Sequence, residues 1–200
     1  MRIIAGKYRG RMIQSVPGRK TRPTTDRVRE AWASTVESLL PGGFEGITVL
    51  DAFAGSGALG LEAISRGAST AVFCEVDTRV SKVIRHNVSF VDDTDCAISI
   101  LTLDVFSPHS SRLISRFGPY QLIILDPPYT ASVLRVRKLL AELSKTSSLA
   151  CGTLVTYEHE KQKGFGIDAT FIKDDGFPES LKVVSCKTYG LTQIDYLLYQ

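Results

Sequence analysis

The sequence predicts an α/β fold: a mostly parallel sheet with helices on both faces and an antiparallel edge at its C-terminal end. Three observations carry this. After residue 46, short apolar runs alternate with segments of helical periodicity. Asp51, Glu75, Asp104 and Asp126 fall at or near the ends of such runs, where strands pass into loops. The tail then holds strand-like runs without another clear helix, which suits an antiparallel edge.

The elements follow in order. Residues 2–14, RIIAGKYRGRMIQ, hold short β-compatible pieces around Gly6 and Gly10 and predict a hairpin. SVPGRKTRPTT is a loop by its Pro, Gly and Thr content. Thr24, Thr25 or Asp26 can then cap a helix whose apolar face is Val28, Ala31, Trp32, Val36 and Leu39. That phase puts Trp32 in the core and Arg27, Arg29 and Glu30 toward the flanks. Pro41-Gly42-Gly43 ends the helix. Strands are expected at 47–53, 70–77, 97–104, 120–126 and 152–158, with β-like runs near 169–173, 182–189 and 194–199. Helices are expected at 58–66, along Val80 to Val91, and from Val133 to Leu143, with a short segment around Leu113 and Ile114.

Two hundred residues suffice for one domain with a substantial core. No stretch approaches a membrane span, and MRIIAGKYRGR lacks a secretory apolar segment, so a cytoplasmic protein is expected. The four cysteines are scattered without a C-x-x-C pair, and the three histidines have no metal-ligand spacing. Free thiols, no metal and no histidine chemistry are the corresponding expectations. Charge is unevenly spread. Residues 1–30 hold nine Lys or Arg against Asp26 and Glu30, a net +7, leaving −4 for the rest of the chain. A basic end on a mildly acidic body suits a polyanion.

Gly55-Ser56-Gly57-Ala58-Leu59-Gly60 matches G-x-G-x-x-G, a pattern common in dinucleotide sites. Asp51 decides against that ligand. A pyrophosphate at the glycine loop, about 4 Å from this carboxylate, would cost on the order of 4 kcal/mol at an effective dielectric of 20. S-adenosylmethionine instead brings an ammonium and a sulfonium there, and the carboxylate becomes attractive. The cofactor loop is then Asp51, Phe53, Ala54, Gly55 and Gly57. Glu75 can accept both ribose hydroxyls, Asp104 can accept from the adenine amino group with Val105 contributing backbone contacts, and Val76 is a further cofactor-binding residue.

Asp126-Pro127-Pro128-Tyr129 directly follows the strand YQLIIL. The prolines alone could simply stop a strand; they do not account for the flanking Asp and Tyr. An exocyclic amine on a nucleobase is a poor nucleophile, because its lone pair is delocalised into the ring. The Asp126 carboxylate and the Pro127 carbonyl, both aimed at its hydrogens, would favour the pyramidal nitrogen. Tyr129 can stack on a base that has left its helix.

D-x-F-x-G-x-G at 51–57, E-x-D at 75–77 and DPPY at 126–129 resemble the class I methyltransferases that alkylate exocyclic amines. With RPTTDRVRE at 22–30 and RIIAGKYRGR at 2–11, the chain resembles the bacterial 16S ribosomal RNA guanine-N2 methyltransferases that modify guanine 966. The resemblance implies a Rossmann-like methyltransferase sheet, S-adenosylmethionine as donor and 16S rRNA in a partly assembled small ribosomal subunit as substrate. It implies that Asp126, Pro127 and Tyr129 hold the guanine. It weakens from Gly164 to Pro178. A division follows into a basic RNA-binding extension at 1–40 and a methyltransferase domain at 41–200, in a monomer. Arg2, Lys7, Arg9, Arg11, Arg22, Arg27 and Arg29 are the expected phosphate contacts. A DNA adenine-N6 or protein glutamine methyltransferase would use the same motif. An NAD-dependent oxidoreductase is disfavoured by Asp51, and a non-catalytic RNA-binding fold by DPPY.

Overall fold

The computed structural model of the chain describes residues 1–16, 25–91, 94–146, 148–161 and 178–200. Helix α1 (Asp26–Leu39) is followed by β1 (Thr48–Asp51), α2 (Ala58–Ser65), β2 (Thr70–Glu75), α3 (Thr78–Val88) and β3 (Ala97–Thr102). Next come α4 (Ser110–Ile114), a 3₁₀ turn at Ser115–Phe117, β4 (Tyr120–Leu125), α5 (Val133–Ser144), β5 (Leu149–Glu160), β6 (Leu181–Tyr189) and β7 (Thr192–Tyr199). The seven strands form one sheet in the order β3-β2-β1-β4-β5-β7-β6. The first five are parallel; β7 runs antiparallel to both β5 and β6. The mostly parallel sheet with an antiparallel C-terminal edge is thus the expected one. The run expected near 169–173 lies outside the described residues.

Side-chain alternation along the strands makes two cores. Leu50, Val72, Ile123, Leu125 and Val155 point to one face, where α5 covers them with Val136, Leu139, Leu140 and Leu143 and α4 adds Ile114. Val49, Leu122, Ile124 and Leu154 point to the other, against Trp32, Ala33 and Val36 of α1 and Ala63 of α2. Farther along that second face, Phe73 meets Leu61 of α2 and Ile84 of α3. Because β1, β2 and β4 are covered on both sides, their sequences read as continuous apolar runs.

Thr25 caps α1, its hydroxyl accepting from the Val28 amide. Trp32 lies in the core, as its phase predicts, and its indole N–H donates to Thr156 on β5 at 3.3 Å. The helix therefore packs directly on the sheet.

The N-terminal arm doubles back as expected, with one antiparallel bridge, Arg2 to Met12, in place of two regular strands. Its amides go elsewhere. Buried Glu62 on α2 accepts from Ile4 N at 2.8 Å, Ala5 N at 3.1 Å and Arg66 Nε at 2.9 Å. The Ser65 hydroxyl accepts from Tyr8 N, and the Ser65 carbonyl from Lys7 N. Gly6, at φ +79°, sits so close that a Cβ there would lie 1.8 Å from the Ser65 carbonyl oxygen. Ile3 and Ile13 anchor the arm against Leu61, Ile64 and Phe73.

Candidate active site

Strand order reverses between β1 and β4, each of which is followed by a loop at its carboxyl end; ligands of open α/β sheets bind at such a point. A cavity of about 620 Å³ opens there, within the size range of small-molecule sites. The four carboxylates read from strand ends, Asp51, Glu75, Asp104 and Asp126, all line it, and Glu158 on β5 adds a fifth.

The glycine loop leaves β1 through Ala52, whose amide donates to Ile124 O, and Ala54, whose amide donates to Cys74 O. Gly55 at φ +54° lines the cavity. The other two glycines serve packing. Gly57 at φ +80° caps α2 and does not line the cavity; a Cβ there would touch Phe73 and Ile84 at 3.4 and 3.5 Å. Gly60 lets α2 approach β2, since its Cβ would fall 2.3 Å from the Phe73 ring. Behind the loop, buried Asn87 donates to Ser56 O at 2.8 Å and Gln14 O at 2.9 Å, and accepts from Gln14 N. One side chain so ties the returning arm to the glycine loop, and Met1, Ser15 and Val16 become cavity wall.

Asp51 is 3 % exposed and accepts from Gly60 N at 3.1 Å. Burial, with the neighbouring Asp126 and Glu75 carboxylates, pushes its carboxyl up to about 7 against the opposing Gly60 bond. Glu75, also buried, accepts from Gly55 N at 3.1 Å and Asp77 N at 3.0 Å. Backbone amides thus fix its carboxylate at the end of β2. Asp77 in turn caps α3 through Arg79 N. Val76 is 62 % exposed on the cavity wall, an apolar surface fit for a flat ring. Asp104 accepts from Phe106 N at 2.9 Å, and Val105 is buried beside it. Arg135 stacks over the Phe106 ring, its Cζ 4.1 Å from the centroid, and closes that end.

Phe53 and Ala54 also line the cavity, as do Asp126, Pro127 and Tyr129. Pro127 is buried and Tyr129 is 42 % exposed, with its hydroxyl 3.5 Å from Thr192 Oγ1 at the start of β7. The motif therefore brings an acid, a buried proline and an accessible ring to one cavity. Below it, His159 Nε2 lies 3.1 Å from Asp195 Oδ2, an ion-pair contact between two buried side chains. Cys186 Sγ and Gln193 Nε2 donate to Asp195 Oδ1 at 3.0 and 2.9 Å. His159 is assigned no role by its sequence context, because its partner lies 36 positions on, on another strand.

The basic residues divide. Arg2, Lys7, Arg9, Arg11 and Arg27 are exposed. Arg2 pairs with Asp26 at 3.2 Å, Lys7 with Asp95, and Arg11 stacks on Phe90. Arg22 lies outside the described residues. Arg29 corrects the sequence reading: it is 1 % exposed, not on a helix flank, and it lines the cavity. It lies three and seven positions before Trp32 and Val36, on the same buried stripe, and its charge hides this phase. Among the described residues no helix is long and apolar enough to cross a membrane, and no cluster of three or more acidic, His or Cys side chains could hold a metal.

The arrangement suits a ligand carrying cationic groups and a flat ring, placed against an opening with two acceptors. The chain is 34% identical over 164 residues to ribosomal RNA small subunit methyltransferase D of Escherichia coli K12, covering 82% of this chain and 77% of that protein. It is 29% identical over 203 residues to the Haemophilus influenzae protein of the same name, covering 100% and 93%. The solved structure of Escherichia coli yhhF superposes with a TM-score of 0.77 at 27% identity, covering 100% of this chain and 98% of that one. The family model of Conserved hypothetical protein 95 matches residues 1–197, nearly the full length, and the chain belongs to that family.

Proposed function

We propose that this protein transfers a methyl group from S-adenosylmethionine to the exocyclic N2 amine of a guanine in 16S rRNA of the small ribosomal subunit. The observation that carries it is the sharing of one cavity by the Asp126-Pro127-Pro128-Tyr129 turn and the carboxylates of the glycine-loop side. The two sites are close enough for the Asp126 charge to act on Asp51. The names of the curated relatives, small-subunit ribosomal RNA methyltransferases, support the class of substrate.

The donor supplies an electrophilic methyl group on a positively charged sulfur. Asp51 faces its cationic end, Glu75 holds the ribose, and Val76, Asp104 and Val105 receive the adenine. Tyr129 stacks on the extruded base. The Asp126 carboxylate and the Pro127 carbonyl each accept one amine hydrogen and so turn the nitrogen lone pair toward the methyl group. As the carbon–nitrogen bond formed, the methyl carbon–sulfur bond would break with its electron pair left on sulfur, the donor leaving as the neutral thioether S-adenosylhomocysteine, and the same two acceptors would stabilise the positive charge arriving on the nitrogen. The surplus proton leaves through Asp126 to solvent, and the amine keeps one hydrogen and one methyl.

Labelled methyl transfer to unmodified small subunits, followed by digestion to nucleosides, tests this reading. Label in N2-methylguanosine is the expected result. Label in N6-methyladenosine would keep the chemistry and remove the substrate assignment; stabilisation of the protein by NAD and not by S-adenosylhomocysteine would remove the donor.

A further inference from the structure

We infer that Arg29 is the docking point for the α-carboxylate of the S-adenosyl donor, an inference that rests on the donor assigned above. Arg29 stands on α1 with its guanidinium sealed from solvent. Nη2 donates to the Arg2 carbonyl and to Asp26 Oδ1, each at 2.7 Å. Nε and Nη1 have no hydrogen-bond partner among the described residues. A guanidinium has five N–H donors and no acceptor; with the two on Nη2 committed, three remain. Buried donors of a charged group are normally all satisfied. Here they belong to a residue that lines the ligand cavity, and a ligand anion is the acceptor assigned to them.

The charge of the wall names that acceptor. Five carboxylates line the cavity, and each repels an anion. The other lining guanidinium, Arg135, is half exposed, stacked on Phe106 and 3.9 Å from Asp104, at the Leu103–Phe106 end. Arg29 is the one buried cation in the described lining. The donor's amino-acid end carries an ammonium and a carboxylate on the same carbon. Asp51 takes the cationic side, which leaves the anion for Arg29. An RNA phosphate is the poorer candidate: a residue 1 % exposed at the inner wall is out of reach of a backbone that stays outside the cavity.

The test compares S-adenosylhomocysteine with its decarboxylated analogue, the S-adenosyl thiopropylamine that lacks only the α-carboxylate, by calorimetric titration without RNA. The unmodified protein is expected to prefer S-adenosylhomocysteine by about tenfold or more, as a charge-assisted hydrogen bond gives. Arg29→Gln is expected to lose that preference by weakening S-adenosylhomocysteine while leaving the analogue within about twofold; Arg29→Lys, which keeps the charge, recovers part of it. Equal losses for both ligands would show a structural role and overturn the inference. So would equal binding of the two ligands to the unmodified protein, a result that needs no variant to fold. Unchanged S-adenosylhomocysteine affinity in Arg29→Gln with weakened RNA binding would place the residue on phosphate instead. Binding of neither ligand to the unmodified protein would fail the donor assignment itself and this inference with it.

Discussion

Asp51 and Asp126 line one cavity, and the Asp126 charge acts on Asp51. Burial and the adjacent acids raise the Asp51 carboxyl to about 7, so near neutral pH the apoprotein holds a proton there about half the time. A cationic ligand prefers the ionised form. Donor affinity is therefore expected to fall by up to about tenfold per pH unit below 7 and to level off above it. Titration of S-adenosylmethionine between pH 5.5 and 8.5 checks this, and Asp51→Asn should flatten the profile. Folding has the opposite sign. The folded apoprotein holds a proton that the unfolded chain releases, so this group makes stability decline as pH rises from about 4 to 7. Asp126→Ala should lower turnover by roughly 10²–10³ while donor binding persists. It should also move the Asp51 midpoint downward, because one repelling charge has gone. An unchanged midpoint would mean that the two carboxylates do not communicate in solution.

At the level of elements, Asp195 on β7 ties in β5 through His159 and β6 through Cys186. Burial opposes the charge on Asp195, but contacts from His159, Cys186 and Gln193 outweigh it and hold the carboxyl down to about 2. Its stabilising contribution is present above about pH 4 and is lost as pH falls through about 2. Asp195→Asn breaks a buried pair and is expected to cost roughly 3 kcal/mol, or about 6–12 °C in a melting curve at neutral pH. Loss of activity without loss of stability would instead place the pair in the chemistry. None of this was legible in the sequence, because His159 and Asp195 meet only through strand pairing. The strands were legible, since parallel strands buried on both faces read as apolar runs. Strand β5 was read from residue 152, but it begins at Leu149. Gly152 at φ +88° and the Thr153 hydroxyl, which accepts from Ala150 N, make an irregularity that resembles a strand start. The arm was read as a hairpin because its glycines and β-formers fit one. Its amides satisfy Glu62 and Ser65, a choice that only the docked helix reveals.

Across the whole molecule, the division of charge sets how a polyanion would approach. The first 30 residues carry +7 and the rest −4, and the cavity wall is itself acidic. RNA phosphates would be repelled at the site and attracted beside it. On the proposed function a base would then enter an acidic pocket while its backbone stayed on the basic arm. The arm is tied to the body through Glu62, Ser65 and the Asn87 link to the glycine loop. Arg29 does not belong to that surface, whereas Arg9 and Arg11 do. Each phosphate contact releases counterions, and the slope of log affinity against log salt counts such contacts. Replacing Arg9 and Arg11 by Gln is expected to weaken rRNA binding and to flatten that slope by about 1.4–1.8, while S-adenosylhomocysteine affinity holds. Arg11 also covers Phe90, so a melting curve must accompany the titration to separate a disturbed arm from a lost phosphate contact. If the slope stays unchanged in a protein that melts normally, the arm is scaffold. The basic charge that guides RNA must then lie elsewhere on the chain.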